Sequence, residues 1–441
     1  MAQTNRDSGL IRAVGAWGLS ASVVNAVVGA GIFPLPSAMA AVLGSYAPVA
    51  FLICAAIIGA VAVCFAEGGS RIPTSGGPYG YIHEVFGPMA GYVAGTVLWF
   101  GCVLACGGVS AALADIAASL SPSRWQAPVH TATIIGVAGL IVLVNLQGVR
   151  HGARLVNAAT SIKLIPLLIF VAAGVFAVRS ENFASAAPVA TGNLGRALLL
   201  ALFAFTGMEV PLSASGEVER PERTIPRALL SSTLFIALLY IAIQVVSQGV
   251  LGPALPQSSV PLVDTMAKVS APLRALMLAA AGISMFSWMG SDLLGSPRTL
   301  FAFARAGELP RFLARVHPRT HVPHAAILTY AAIAVALALT GTFVELAVLS
   351  TLASCALYIG GSVAAWVAAR RGLALAGPPL NFRFLTFAMV IGTAGMLFMI
   401  ALASRAEILG LLALIGLSAT VYAIQTRSRS WAASQTASER A

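Results

Sequence analysis

The stretch NAVVGAGIFPLP, residues 25–36, decides how this chain folds. It lies in a run without Asp, Glu, Lys or Arg that extends from residue 13 to residue 66. About 20 apolar residues cross a bilayer, so this run holds two membrane helices, and we expect a turn between them near residues 44–48. Glycines and prolines interrupt the first helix. The backbone groups freed there must be satisfied by protein or by a wet cavity, so the sequence predicts a broken membrane helix.

The composition of the whole chain also indicates a membrane protein. Of 441 residues, 58% are hydrophobic and only 9% are charged, and the mean hydropathy is +0.89. A soluble domain carries about 25% charged residues, which excludes a soluble enzyme, a disordered chain and a nucleic-acid-binding domain. The net charge of +11 resides in Arg-rich clusters between apolar runs, as in loops that face anionic lipid. The five cysteines lie in apolar runs without metal-ligand spacing, so we expect neither a metal nor a cofactor.

Charge-poor runs predict twelve membrane-spanning helices. Besides the double run, they cover residues 85–114, 125–149, 155–178, 197–216, 228–263, 275–297, 320–344, 346–369, 384–404 and 408–426. With twelve spans both termini share a side, and 19 of the 26 basic residues fall on it. The positive-inside rule therefore predicts cytoplasmic termini and a multi-pass protein of the cytoplasmic membrane. The apolar run after Arg12 is too long for a cleaved signal, and the polar end after Arg427 is expected to be a disordered tail.

A second interrupted helix occupies the matching place in the other half of the chain. The sequence FAFTGMEVPLSASGEVERPERTIPRAL, residues 203–229, contains Gly207 and an intramembrane Glu209. Broken helices at corresponding positions point to an inverted-repeat transporter with its site at mid-membrane. The N–H groups of residues 29–32 suit a carboxylate, and carbonyls freed around residues 203–206 suit an ammonium group. Together they fit an α-amino acid head group, although close helix packing explains either segment alone equally well.

Four segments resemble the amino acid–polyamine–organocation superfamily. They are GAGIFPLPS at 29–37, SRIPTSGGPYGYIHEVFGPMAGY at 70–92, GMEVPLSASGEVERPERTIPRAL at 207–229 and GSPRTLFAFARAGELPRFLARVHPRTHVPHAA at 295–326. The resemblance implies an all-α integral membrane protein with the LeuT-type fold: twelve transmembrane helices in a 5+5 inverted repeat, broken helices 1 and 6, and two peripheral helices. The implied units are a cytoplasmic N-terminus (1–12), a first repeat (13–178), a second repeat (194–370), helices 11 and 12 (383–426) and a cytoplasmic tail (427–441).

The same resemblance implies secondary active transport of an amino acid or amine by alternating access, and no enzymatic activity. The substrate-binding residues that it implies are Gly29, Ala30, Gly31 and Ile32 at the carboxylate and Phe203, Ala204, Phe205, Thr206 and Gly207 around the amine. Phe203 stands where similar proteins place an aromatic gate over the substrate.

Two polar residues near the first break are candidates for coupling. Lys163 lies within a span, and an intramembrane lysine is by default a functional hypothesis. In sodium-independent members of the superfamily that this chain resembles, a lysine of the fifth span replaces a sodium ion. We therefore expect Lys163 to bind the carbonyls near residues 26–29, and we expect transport to need no sodium. A lysine that snorkels to the interface is the alternative. Asn25 either contacts substrate or hydrogen-bonds a neighbouring helix.

Two carboxylates lie within the spans of the second half. Glu209 is either a proton-sensing group or a structural one that hydrogen-bonds the unwound backbone. Asp292 is a proton site, a counter-charge for a cationic substrate, or an acid paired with a hydroxyl group or with Arg298. Coupling is accordingly expected to be proton symport or exchange.

The remaining expected pocket wall is apolar or aromatic and favours a neutral or hydrophobic substrate side chain. Its residues are Phe203, Phe205, Met285, Trp288, Trp99, Gly108 and Tyr358. The alternative is a cationic amino acid or a polyamine, with Asp292 as its partner.

We expect a small-molecule substrate, protons and membrane lipid as partners, and neither nucleic acid nor a partner subunit. The histidines of VHPRTHVPH, residues 316–324, are not expected to bind metal. Charges at cytoplasmic span ends, such as Glu67 and Arg71, are either solvated or part of an inner gate.

Overall fold

The computed structural model describes residues 12, 14–29, 31–73, 76–147, 163–183, 191–213, 215–318, 320, 322–375 and 377–438. These residues form helices joined by short turns, and Val14 and Val218 pair as an isolated β-bridge. The helices of the first half are α1 (Ala16–Val27), α2 (Leu35–Leu43), α3 (Ala47–Arg71), α4 (Pro78–Phe86), α5 (Pro88–Ser119), α6 (Gln126–Leu146) and α7 (Leu164–Gly174). Those of the second half are α8 (Thr191–Phe205), α9 (Glu209–Leu212), α10 (Pro221–Leu251), α11 (Pro261–Ala267), α12 (Ala271–Gly295), α13 (Pro297–Arg305), α14 (His324–Thr340), α15 (Phe343–Arg370), α16 (Leu385–Ala401) and α17 (Arg405–Ser438).

Seven helical stretches of the described chain are long and apolar enough to cross a membrane. They are Leu35–Arg71, Pro88–Ser119, Ser123–Leu146, Pro221–Gln257, Ala271–Arg305, Phe343–Arg370 and Arg405–Thr426. Five shorter apolar helices accompany them: Ala16–Val27, Leu164–Ala177, Asn193–Phe205, His324–Thr340 and Leu385–Ala401. The structure is therefore that of an all-helical, multi-pass membrane protein, and the number of twelve spans stays a prediction.

The short helices α1 and α8 are the two that the sequence predicts to be broken. α1 has 12 residues, and a helix of that length is about 18 Å long, too short for a hydrocarbon core of about 30 Å. The chain bends at residues 28–29, turns at residues 31–34 and continues as α2. A 3₁₀ turn, Gly44–Tyr46, then leads into α3, where the sequence predicts a turn.

Burial separates the central helices from the peripheral ones. In the most apolar window of Pro88–Ser119, which contains α5, 72% of the residues are buried, against 22% in Ser123–Leu146 and 11% in Arg405–Thr426. α5 packs against α15, and α3 packs against α10, α8 and α15. The exposed apolar side chains of α6 and of residues 405–426 are suited to contact lipid, because transfer of apolar groups out of water is favourable.

A buried ion pair fixes the C-terminal end of α3. The guanidinium of Arg71 lies 2.6 Å from the carboxylate of Glu67, and the two side chains are 5% and 1% exposed. Arg71 also donates to the carbonyl of Leu373 at 3.2 Å and to the side chain of Asn381. Glu67 accepts from the backbone N–H of Phe382 at 2.9 Å. The pair thus anchors the segment between α15 and α16, rather than lying in solvent.

Candidate functional site

Side chains from distant helices satisfy the backbone groups freed where α1 ends. The hydroxyl of Tyr240 donates to the carbonyl of Val27 at 2.9 Å, and the hydroxyl of Ser284 donates to the carbonyl of Gly29 at 3.3 Å. The ammonium of Lys163, whose side chain is almost fully buried, donates to the carbonyl of Asn25 at 2.5 Å. Lys163 therefore lies buried against the end of the broken helix.

The second break is stabilised in a different way, by a carboxylate. α8 ends at Phe205, and the hydroxyl of Thr206 donates to the carbonyl of Phe203 at 2.8 Å. One oxygen of buried Glu209 accepts from the N–H of Gly207 at 3.1 Å and from the hydroxyl of Tyr358 at 2.6 Å. This is the geometry expected of a carboxylate that hydrogen-bonds unwound backbone.

Glycines allow the two breaks to approach each other and their neighbours closely. A Cβ atom on Gly207 would lie 2.9 Å from the carbonyl oxygen of Ala26, and the φ of Gly207 is +115°. A Cβ on Gly29 would lie 2.4 Å from the indole of Trp288, and one on Gly31 would lie 2.9 Å from the ring of Phe203. Gly29, Gly31 and Gly207 therefore lie at contacts where a larger residue does not fit.

A cavity of about 340 Å³ lies against both breaks. Its described lining residues are Asn25, Ala26, Val97, Leu98, Trp99, Gly101, Cys102, Ala105, Lys163, Thr206, Gly207, Glu209, Val210, Ser213, Ser287, Trp288, Ser291, Asp292, Gly295, Ser296, Thr299, Ser350, Ser354 and Leu357. Its volume falls within the range of about 300–1,000 Å³ usual for small-molecule sites.

Some of the predicted site residues line this cavity, and others do not. All four coupling candidates line it, together with Thr206 and Gly207. The other described substrate-binding candidates do not line it: Gly29, Gly31, Ile32, Phe203, Ala204 and Phe205. Ala30 and His321 lie outside the described residues. Of the expected aromatic and apolar wall, Trp99 and Trp288 face the cavity, whereas Phe205 packs against Phe51 and Tyr240.

Asp292 lies on the wall formed by α12, with a hydroxyl group on each of its oxygens. Ser296 donates to Oδ1 at 2.6 Å, and Tyr330 donates to Oδ2 at 2.5 Å. Among the described residues no basic side chain forms an ion pair with Asp292, and Arg298 in particular does not. Of the alternatives given by the sequence, pairing with hydroxyl groups is the arrangement that this structure has.

Sequence reasoning missed the hydroxyl groups that complete the site. Tyr240, Ser284 and Tyr330 lie in apolar helices, where an isolated hydroxyl carries no motif or spacing. The only available signal was their polarity within predicted spans, which does not indicate a partner. In the described residues no three His, Cys, Asp or Glu side chains cluster as metal ligands.

A second cavity, of about 520 Å³, lies near the other end of the molecule. Its lining includes Ser37 of α2, Asp115 of α5 and Thr342 and Phe343 at the start of α15. The ring of Phe343 packs edge-on against that of Phe203, with centroids 5.7 Å apart. The predicted gate residue Phe203 thus contacts the wall of the second cavity.

The amino acid permease family profile matches residues 14–404. This chain belongs to that family. The permease is 27% identical over 355 residues to the branched-chain amino acid permease BcaP of Bacillus subtilis, covering 74% of each chain. It is 27% identical over 332 residues to the serine/threonine exchanger SteT of the same species, covering 73% of this chain and 75% of SteT. It is 25% identical over 335 residues to the Bacillus subtilis methylthioribose transporter, covering 72% and 73%.

Family membership confirms the resemblance seen in the sequence. The permease is a membrane transporter of the amino acid–polyamine–organocation superfamily and not an enzyme. Its relatives carry small molecules of different kinds, as their names state, so the identity of its own substrate does not follow from them.

Proposed function

We propose that this permease is a secondary active transporter of amino acids that works by alternating access across the cytoplasmic membrane. One observation carries the proposal: the two broken helices meet at Gly207 and Ala26, and a cavity of transporter-site size lies against that meeting point. Irregular backbone within a membrane protein is tolerated where it lines such a cavity, and broken helices at matching positions of two repeats are typical of secondary transporters.

The proposed topology has twelve spans with both termini in the cytoplasm. The seven long and five shorter apolar helices support it, with residues 13–178 and 194–370 as inverted repeats and residues 383–426 as the two peripheral helices. The excess of arginine on one side supports the orientation. In this orientation the cavity at Asp292 lies on the cytoplasmic side of the Phe203–Phe343 contact.

The proposed head-group site lies at the two breaks, with residues 29–32 for the carboxylate and residues 203–206 for the ammonium group. In the present conformation Trp288 covers Gly29, and Phe203 covers Gly31. Substrate in the cavity would therefore reach these glycines when both aromatic rings move. Such a movement would also separate Phe203 from Phe343 in the wall of the second cavity. Alternating access needs a change of this kind, in which the site opens toward the other side.

We propose that transport does not require sodium. The ammonium of Lys163 already supplies a positive charge at the carbonyl of Asn25, and a cation at that carbonyl stabilises the end of the half-helix. A bound sodium ion would duplicate that charge. Coupling is to protons or to the exchange of a second amino acid.

The deciding experiment is uptake of a panel of radiolabelled amino acids into proteoliposomes, with sodium and proton gradients varied independently. Uptake that saturates, persists without sodium and responds to a proton gradient or to internal amino acid supports the proposal. Uptake that collapses without sodium at constant pH and potential would contradict the role of Lys163. Absence of any amino acid uptake by folded protein would contradict the proposed function itself.

The lining of the cavity changes the expectation for the substrate side chain. The sequence favoured a neutral or hydrophobic one because of its aromatic candidates, but only Trp99 and Trp288 of that set line the cavity. Hydroxyl groups, two carboxylates and a lysine make up much of the remaining lining. Asp292, a carboxylate without a basic partner among the described residues, supports the alternative, a cationic substrate.

A further inference from the structure

Asp292 occupies a part of the cavity wall that the head-group site does not use. It lies one helical turn after Trp288 on α12, so both side chains project from the same face of that helix. The head-group breaks involve α1, α2 and the segment around α8 and α9. A substrate bound by its head group at the breaks therefore has its side chain free to reach toward α12.

The two hydroxyl groups orient the carboxylate of Asp292 without saturating it. Ser296 donates to one oxygen and Tyr330 to the other, and the thiol of Cys106 also hydrogen-bonds the carboxylate. A carboxylate offers about four lone-pair positions, so about one remains for a ligand. Tyr330 is itself held by packing against Trp99, with ring centroids 6.0 Å apart. The carboxylate is thus presented in a fixed geometry, as a recognition site requires.

The charge of Asp292 has no internal counter-charge in the described part of the chain. No basic side chain pairs with it there, and the ammonium of Lys163 is engaged with the carbonyl of Asn25. An unpaired carboxylate within a membrane costs several kcal/mol. A cation bound in the cavity would offset that cost.

The aromatic residues beside Asp292 favour the same ligand. Trp99 and Trp288 both line the cavity. The face of an indole ring attracts ammonium and guanidinium groups, and tryptophan does so better than the other aromatic side chains. A carboxylate and two indoles within one cavity of about 340 Å³ match the chemistry of an organic cation better than that of an aliphatic side chain.

We infer that Asp292, oriented by Tyr330 and Ser296, binds the positively charged side-chain group of a cationic amino acid. Asp292 then determines specificity, and basic amino acids are the substrate class. The inference rests on the proposed function, since it assumes that the head group binds at the breaks. It assigns Ser296 and Tyr330 as positioning residues that act through the carboxylate.

The test compares arginine and lysine with leucine and serine in proteoliposomes that contain the full chain. We expect wild-type protein to take up arginine and lysine, and Asp292→Asn to raise their KM at least tenfold, the loss expected for one charge-assisted hydrogen bond. Uptake of an uncharged amino acid should change less than twofold. Asp264→Asn is the matched control, because Asp264 also accepts from a serine hydroxyl, at 2.6 Å from Ser258, but does not line the cavity.

Tyr330→Phe provides a second test that keeps the charge. It removes one hydroxyl donor, and we expect the KM for arginine to rise severalfold while the KM for leucine stays unchanged. This variant decides the matter if Asp292→Asn does not fold. Restoration of arginine uptake in Asp292→Glu would further support recognition of charge.

Three results would overturn the inference. The first is wild-type uptake of uncharged amino acids with neither uptake of, nor competition by, arginine and lysine. The second is an equal effect of Asp292→Asn on charged and uncharged substrates. The third is that Asp292→Asn loses the response of uptake to a proton gradient for every substrate, which would make Asp292 a proton site. In each of these cases amino acid transport remains, whereas failure of the proposed function would appear as no amino acid uptake at all.

Discussion

Gly207 is the point at which the two broken helices touch, and Gly207→Ala tests whether that contact is required. The φ of Gly207 is +115°, a conformation that alanine adopts only with strain of about 1–3 kcal/mol. The added methyl group would also lie 2.9 Å from the carbonyl oxygen of Ala26, a backbone atom that cannot rotate away. Overpacking of this kind costs about 1–3 kcal/mol. We therefore expect the free energy of unfolding to fall by about 2–6 kcal/mol.

The assay for Gly207→Ala is titration of the purified permease with SDS in mixed micelles, followed by tryptophan fluorescence. Gly282→Ala is the matched control, because a Cβ on Gly282 of α12 would meet no atom within 4 Å. Alanine there is expected to raise helix stability by up to about 1 kcal/mol. Uptake into proteoliposomes should fall in Gly207→Ala and remain in Gly282→Ala. Equal stability and equal uptake of the two variants would refute the proposed contact between the breaks.

Three further substitutions address the charged groups. Lys163→Met should lower uptake more than tenfold, because the carbonyl at the end of α1 loses its cationic donor. Glu209→Gln should lower proton-driven uptake and exchange alike, since a neutral amide holds the unwound backbone and the Tyr358 hydroxyl less strongly. Glu67→Gln should reduce the free energy of unfolding by about 3–5 kcal/mol, because it leaves the charge of Arg71 buried and unpaired.

Each of these expectations has a contrary result. Undiminished uptake by Lys163→Met would show that the lysine is dispensable. Exchange that persists in Glu209→Gln while the response to a proton gradient disappears would make Glu209 a coupling group. For the buried pair, the double variant Glu67→Gln/Arg71→Met should recover most of the lost stability, as removal of both charges often does. Equal instability of the single and double variants would mean that the loss does not come from the unpaired charge of Arg71.

The sequence was sufficient for the class of protein and the places where its helices break. Lipid cannot hydrogen-bond the backbone, so a membrane span must be a helix of nearly fixed length, and apolar runs mark such helices directly. Glycine and proline weaken a helix wherever it lies, so residues 29–36 and 207–211 show the two interruptions without knowledge of any neighbour. The charges at Lys163, Glu209 and Asp292 could be recognised as candidates because charge within lipid is costly.

Only the tertiary structure decided which side chains meet and which of them face the cavity. The hydroxyl partners of the charged groups come from distant helices: Tyr358 is 149 residues from Glu209, and Tyr330 is 38 residues from Asp292. Aromatic residues such as Phe205 were expected at the cavity but pack into the core. The physical reason is that a membrane helix is apolar on its core-facing and its lipid-facing sides alike, so hydrophobic periodicity, which orients helices in soluble proteins, gives little information here.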